Sequence, residues 1–109
     1  MRSLQEWYSS VSDVTILTLA EYHWRFECIH PFQDGNGRVG RLILFRECLR
    51  HSIMPFVIDN DHKMYYYRGL SEFGQTPGFL VGTMQLAQDV YQSWLSYFNE
   101  ALLEGLKME

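Results

Sequence analysis

The chain is short of several residue types, and each shortage removes a class of protein. Cysteine occurs only at positions 28 and 48. Two isolated thiols in apolar, helix-like surroundings make neither a disulfide framework nor a metal-ligand pattern. They read as buried thiols in a reducing cytosol. Basic residues number 9 against 13 acidic ones, a net charge of −4, which argues against broad electrostatic binding to nucleic acid. No uncharged run approaches the roughly 18 residues of a membrane span. The opening Met-Arg-Ser-Leu-Gln-Glu-Trp does not resemble a signal peptide, so a cytoplasmic protein without a membrane partner is expected. Alternating strands, internal repeats, linkers and low-complexity tracts are absent as well.

What is present points to one all-α domain over residues 1–109. That length supports a single small core, and 47% hydrophobic residues are enough to fold it. Ser10 with Asp13 three residues on reads as a helix start. Val14, Leu17, Glu21, Trp24 and Cys28 then recur at helical spacing, with Ile16, Leu19, Ala20 and Phe26 apolar on other faces, as in a central buried helix. Pro31 ends it. A loop with glycines at 35 and 37 leads to a second helix over about 38–50, expected to turn Val39, Leu42, Ile43, Phe45 and Leu49 inward. Residues 52–58 form an extended connector. Asp59 or Asp61 caps a short helix through 65–70, and Thr76-Pro77 opens a last helix carrying Phe79, Leu80, Met84, Ala87, Tyr91, Trp94, Leu95, Phe98 and Leu102. The result is a helical bundle whose two central helices flank a loop.

That loop carries the chemistry: His30-Pro-Phe-Gln-Asp-Gly-Asn-Gly-Arg-Val-Gly-Arg41. Gly35, Asn36, Gly37 and Arg38 stand at a helix start, where unpaired N–H groups and the helix dipole favour anions. Glycines let the backbone approach a phosphate closely. Arg38 and Arg41 are three apart, so two guanidinium forks face one ligand, a polyphosphate rather than a single carboxylate. Arg46 and Arg50 gather further positive charge nearby. Asp34 suits either a helix N-cap or a ligand for phosphate-bound Mg²⁺, and the neighbouring run favours the metal. His30 is placed as a general base for an attacking hydroxyl. Phe32 is the core anchor that fixes the loop. Gly35 to Gly40 also matches the dinucleotide pattern G-x-G-x-x-G with Asp59 downstream, but a helix rather than a buried strand precedes it, and that reading fails.

Taken together, the loop resembles the Fic family of nucleotidyl transferases, whose motif H-x-F-x-[D/E]-G-N-G-R-x-x-R is matched by His30, Phe32, Asp34, Gly35, Asn36, Gly37, Arg38 and Arg41. The flanking Phe-Glu-Cys-Ile, Pro55-Phe-Val-Ile and Tyr66-Tyr-Arg-Gly-Leu70 look typical too, extending the resemblance from about Leu4 to the last helix. The resemblance implies transfer of AMP from ATP, with Mg²⁺, to a Ser, Thr or Tyr hydroxyl of a target protein. His30 would deprotonate the target, Asp34 would hold Mg²⁺, Asn36 with the Gly35 and Gly37 backbone would cradle the α-phosphate, and Arg38 and Arg41 would bind the β- and γ-phosphates. Family members usually carry a β-hairpin flap upstream of the motif. The 29 residues before His30 contain no hairpin signal, so the resemblance is to the C-terminal part of such a domain.

Two alternatives follow. One is a nucleotide-binding remnant that cannot present a target; the other is transfer of another phosphate-linked group, such as UMP or phosphocholine. Phosphotransfer in Doc-like relatives goes with a lysine in place of the second glycine, where this chain has Gly37. The family's inhibitory [S/T]-x-x-x-E-[G/N] helix has one counterpart, Ser96 to Glu100 followed by Ala101, which makes Glu100 a regulatory candidate beside the plainer reading of a solvated i,i+4 pair. Tyr65, Tyr66 and Tyr67 are expected mostly in the core, with one exposed hydroxyl, although they could also line the adenine or accept AMP. His23, His51 and His62 are read as structural or surface residues. The aromatic last helix reads as core; if its apolar face were exposed, it would drive self-association.

Overall fold

In the computed structural model, residues 3–29 and 34–107 are described. They form α1 (Leu4–Ser9), α2 (Ile16–Ile29), α3 (Asp34–Arg50), a 3₁₀ turn (Asn60–His62), α4 (Lys63–Glu72) and α5 (Gly78–Lys107), with no strand among them. The all-α expectation holds. α2 packs on α3 and also touches α5 and α1, while α4 packs on α5. The core is Tyr8, Leu19, Ala20, Tyr22, Leu44, Cys48, Phe56, Tyr66, Phe73, Leu80 and Met84.

Several local expectations need correction. Ser10 caps the end of α1, a helix the periodicity did not reveal, rather than opening α2. The start of α2 belongs to Thr15, whose hydroxyl accepts from the Thr18 amide at 3.4 Å while the Thr15 amide donates to the Thr18 hydroxyl at 3.2 Å. On α3 the buried positions are Gly40, Leu44, Glu47 and Cys48; Val39, Leu42 and Leu49 are exposed. The apolar residues of α3 are spread around the helix, so no stripe marks its inner face. Cys28 is exposed, and only Cys48 is buried. Of Tyr65, Tyr66 and Tyr67 only Tyr66 is core; Tyr65 and Tyr67 are exposed.

Glycine sets two of the close approaches. A Cβ on Gly40 would lie 2.5 Å from Glu27 Oε1 and 3.1 Å from the Phe26 ring, so α2 and α3 meet there. A Cβ on Gly69 would lie 2.7 Å from Leu80 Cα, which is backbone and cannot turn aside. α3 ends in a Schellman motif: Ser52 takes φ 58°, and the Ile53 amide donates to the Cys48 carbonyl at 2.8 Å. The chain thereby turns into the extended connector, which Gln88 of α5 pins by donating to the Met54 carbonyl at 2.8 Å. Asp59 then caps the 3₁₀ turn, accepting from the His62 amide, rather than the helix after it that the sequence assigned to Asp59 or Asp61; that helix has His62 at its N-cap and no side-chain cap.

Gly69→Ala should destabilise the fold by about 2 kcal/mol or more, because overpacking against backbone has no cheap relief. Gly82 meets nothing within 4 Å of its would-be Cβ and is itself exposed on α5, so Gly82→Ala should stabilise by about 0.5–1 kcal/mol. Thermal melts of the two variants should therefore shift in opposite directions. A Gly69→Ala protein melting with or above the wild type would disprove the close packing.

Candidate functional site

The first turn of α3 begins at Asp34, four residues earlier than the loop pattern implied. Asp34, Gly35, Asn36 and Gly37 therefore contribute a helix N-terminus, whose first four N–H groups lack partners within the helix. No described glycine has a positive φ, so the glycines serve close approach rather than a left-handed turn. Residues 30–33 lie outside the described residues, and the readings of His30 as base and Phe32 as anchor lie outside with them.

Arg38 and Arg41 edge a cavity of about 260 Å³, otherwise lined by Leu42, Leu44, Phe45, Phe56, Val57 and Ile58. One rim carries two cations and the walls are apolar. Leu42 and Val57 leave apolar surface open there, with Leu42 70% exposed. Sequence reasoning missed this wall. The 55–58 stretch reads in the sequence as a connector and a family-like flank, and nothing in its pattern says that it folds back over α3. Arg46 and Arg50 do not join this rim. Both pair with Glu47, at 3.2 and 3.5 Å, because they lie roughly a quarter-turn or more around α3 from Arg38.

Arg41 reaches back along its own helix. A Cβ on Gly37 would stand 3.3 Å from an Arg41 terminal nitrogen, so the missing side chain leaves room for the guanidinium over the first turn. Its carbon also sits 5.7 Å from the Tyr66 ring centroid. Tyr66 is buried and shares a hydrogen bond of 2.5 Å with His23 Nε2 of α2. Burial, and then the positive charge of Arg41, push His23 down to about 4. Burial likewise pushes the Tyr66 phenol up to about 12. Both groups are neutral near pH 7, so they support Arg41 without competing for its charge.

A second polar knot ties α1 to α3. Glu47 is 1% exposed and accepts from the Tyr8 hydroxyl at 2.8 Å and from Arg46 Nε at 3.2 Å. Burial raises its carboxyl pKa, but the Tyr8 hydrogen bond and the two arginines outweigh that and leave it below the ordinary range. Burial, followed by this same carboxylate, raises the Tyr8 phenol well above its usual value. The knot lies on the buried face of α3 and holds the helix that carries the site.

Glu100 stands on the exposed part of α5, in a shallow groove with Asp89, Gln92, Ser93, Ser96 and Tyr97. Among the described residues no ion pair joins it to Arg41. No described group of three or more His, Cys, Asp or Glu residues could hold a metal ion, and no described helix is long and apolar enough to cross a membrane.

A helix N-terminus thus stands beside two arginines and an apolar-walled cavity in an all-α bundle. Residues 1–47 match the model of the Fic/DOC family. The chain is 30% identical over 73 residues to protein adenylyltransferase fic-1 of Caenorhabditis elegans, covering 64% of this chain and 14% of that protein. It is 40% identical over 45 residues to the protein adenylyltransferase Fic of Aedes aegypti, covering 41% and 9%. With a probable protein adenylyltransferase of Aquifex aeolicus it shares 31% over 64 residues, covering 58% and 20%. The chain thus spans a fifth or less of the length of these relatives. The matches also cover less of the chain than the near-complete resemblance that the flanking sequences suggested.

The depressed His23 pKa sets a pH window. The unfolded chain takes up a proton at this histidine below about 6.5, whereas the folded chain takes it up only near 4. The contribution is therefore complete above pH 6.5 and is lost as the pH falls toward 4, on the order of 3 kcal/mol in all. Urea midpoints measured across this range should fall accordingly, and His23→Gln should flatten the slope. A wild-type profile already flat from pH 6.5 to 4 would show that His23 is not buried in its neutral form.

Proposed function

We propose that this chain is the core of a protein adenylyltransferase, transferring AMP from ATP to a Ser, Thr or Tyr hydroxyl of a target protein. The observation that carries the reading is the coincidence, at the start of α3, of a complete Fic motif with a cavity edged by Arg38 and Arg41. The named activity of the relatives supports it.

In this reading His30 is the general base that takes the proton from the target hydroxyl. The backbone of Gly35, Asn36 and Gly37 cradles the α-phosphate, where negative charge builds up during displacement. Arg38 and Arg41 grip the β- and γ-phosphates and steady the pyrophosphate that leaves. The apolar wall of Phe45, Phe56, Val57 and Ile58 suits an uncharged, flat group such as the base. A lone carboxylate beside phosphates suits Mg²⁺, which shares its coordination with phosphate oxygens and water, so Asp34 would hold that ion. When bound, Mg²⁺ would neutralise phosphate charge as the bond to the leaving group breaks. Phe32 anchors the loop, and Glu100 stands as a candidate regulator of Arg41. A cytoplasmic setting belongs to the same proposal. Self-association through the apolar far half of α5 is a separate part of it, independent of nucleotide chemistry.

Incubation with Mg²⁺ and ATP labelled on the α-phosphate, alone and with cell lysate, tests the reading. Label should appear on protein, and His30→Ala should abolish it while keeping ATP affinity. Arg41→Ala should weaken ATP binding by about tenfold or more, the loss of one charge-assisted contact. ATP bound in calorimetry with no protein ever labelled would instead make the chain a nucleotide-binding module. Label delivered from UTP and not ATP would reassign the transferred group.

A further inference from the structure

The packed part of α5 ends at Tyr91, whose ring meets Phe45 of α3 at 5.9 Å. Every residue from 92 to 107 is exposed, although the helix runs unbroken to Lys107. The molecule is accordingly long, 60 × 31 × 25 Å, with a radius of gyration of 16.1 Å against roughly 13 Å for a compact chain of this size. An isolated helical segment of this length is marginal in water unless its apolar face is covered.

The exposed segment has such a face. Leu80, Met84, Ala87 and Tyr91 alternate at spacings of four and three residues along the packed half of α5, and Trp94, Phe98, Ala101 and Gly105 continue the same seam. Leu95, Leu102 and Leu106 flank it. In the free chain Trp94 is 52%, Phe98 66% and Leu106 66% exposed. Glu100 and Lys107 lie away from the seam, while Glu104 borders it beside Ala101 and Gly105, and Leu103 sits on the opposite side. Whatever covers the seam meets an apolar surface with one carboxylate at its edge.

The size order along the seam identifies the occupant. Trp94 and Phe98 are large, and Ala101 and Gly105 are small. Two copies placed antiparallel, with Trp94 opposite the second copy's Gly105 and Phe98 opposite its Ala101, set each large side chain into a small one's space, twice over by symmetry. A parallel pair would stack tryptophan on tryptophan and leave glycine facing glycine. The apolar surface available is on the order of 600 Å² per copy, near the lower end for a specific interface of ~800 Å² per partner.

We infer that two copies of this chain associate through residues 91–107 of α5, antiparallel, about a two-fold axis between Asn99 and Glu100. The inference deepens the self-association part of the proposal and does not rest on nucleotide transfer, so loss of labelling leaves it untouched. The bodies of the two copies lie at opposite ends of the paired helices, which leaves both Arg38/Arg41 cavities open.

Sedimentation equilibrium of the full chain should show a monomer–dimer equilibrium with a dissociation constant on the order of 10 µM, as a modest interface implies. Phe98→Glu should raise that constant at least ~30-fold; because Phe98 is exposed in the single copy, the fold itself survives, and circular dichroism verifies this. Geometry is read from spin labels on Gln92→Cys and Asn99→Cys, each in a Cys28→Ser background. The two positions share one face of the helix, seven residues apart. Antiparallel pairing brings the Asn99 labels level and offsets the Gln92 labels by about 22 Å along the axis. Equal distances at both positions would mean a parallel pair and would falsify the inference. So would a monomer at all concentrations up to about 0.2 mM, including one that sediments with phosphatidylcholine vesicles, which would assign the face to a lipid surface instead.

Discussion

The site depends on how α3 is held from behind. Its outward edge presents the first-turn amides, Arg38 and Arg41, and its inward edge is fixed by three contacts that are not ordinary oil-on-oil packing. Gly40 admits the α2 side chains, Glu47 takes the Tyr8 hydroxyl from α1, and the His23–Tyr66 pair from α2 and α4 backs Arg41. A helix with its apolar residues spread all round has no hydrophobic stripe to set its rotation. Here glycine and polar partners set it. A small rotation would carry Arg41 off the cavity and bury a charge without a partner, an expensive error.

This arrangement explains why the two halves of the chain behave differently. The α2–α3 half is dense with specific polar contacts and carries the family match. The α4–α5 half contributes the connector wall and the Tyr66 brace, then leaves the body as a single helix. Cooperation between them passes through Tyr66 on His23, Gln88 on Met54 and Tyr91 on Phe45. Each is a place where one side chain decides whether the cavity keeps its wall.

Much of the site was legible in the sequence because it is local. Eight motif positions fall within twelve residues, and helix-terminus physics applies wherever such a run begins a helix. The helical class was legible for the same reason, whereas Asp59 caps a 3₁₀ turn and not the helix expected after it. The inner face of α3, the short α1 and the exposure of Cys28 were not, since each depends on which distant residue arrives opposite. Tyr66 could not be told from Tyr65 and Tyr67 by type or pattern; only the rotation of α4 against α2 and α3 singles it out.

The sequence by itself determined that the chain is helical, that a glycine-rich motif leads into a second helix, and that Arg38 and Arg41 lie within one turn of each other. Short-range rules suffice for these, because N–H groups, helix pitch and residue chemistry do not depend on the rest of the fold. Tertiary structure alone decided that residues 56–58 close the cavity, that Arg46 and Arg50 turn away to Glu47, that His23 stays neutral, and that the far half of α5 is uncovered. Those outcomes are set by burial and by long-range neighbours, which no local pattern encodes.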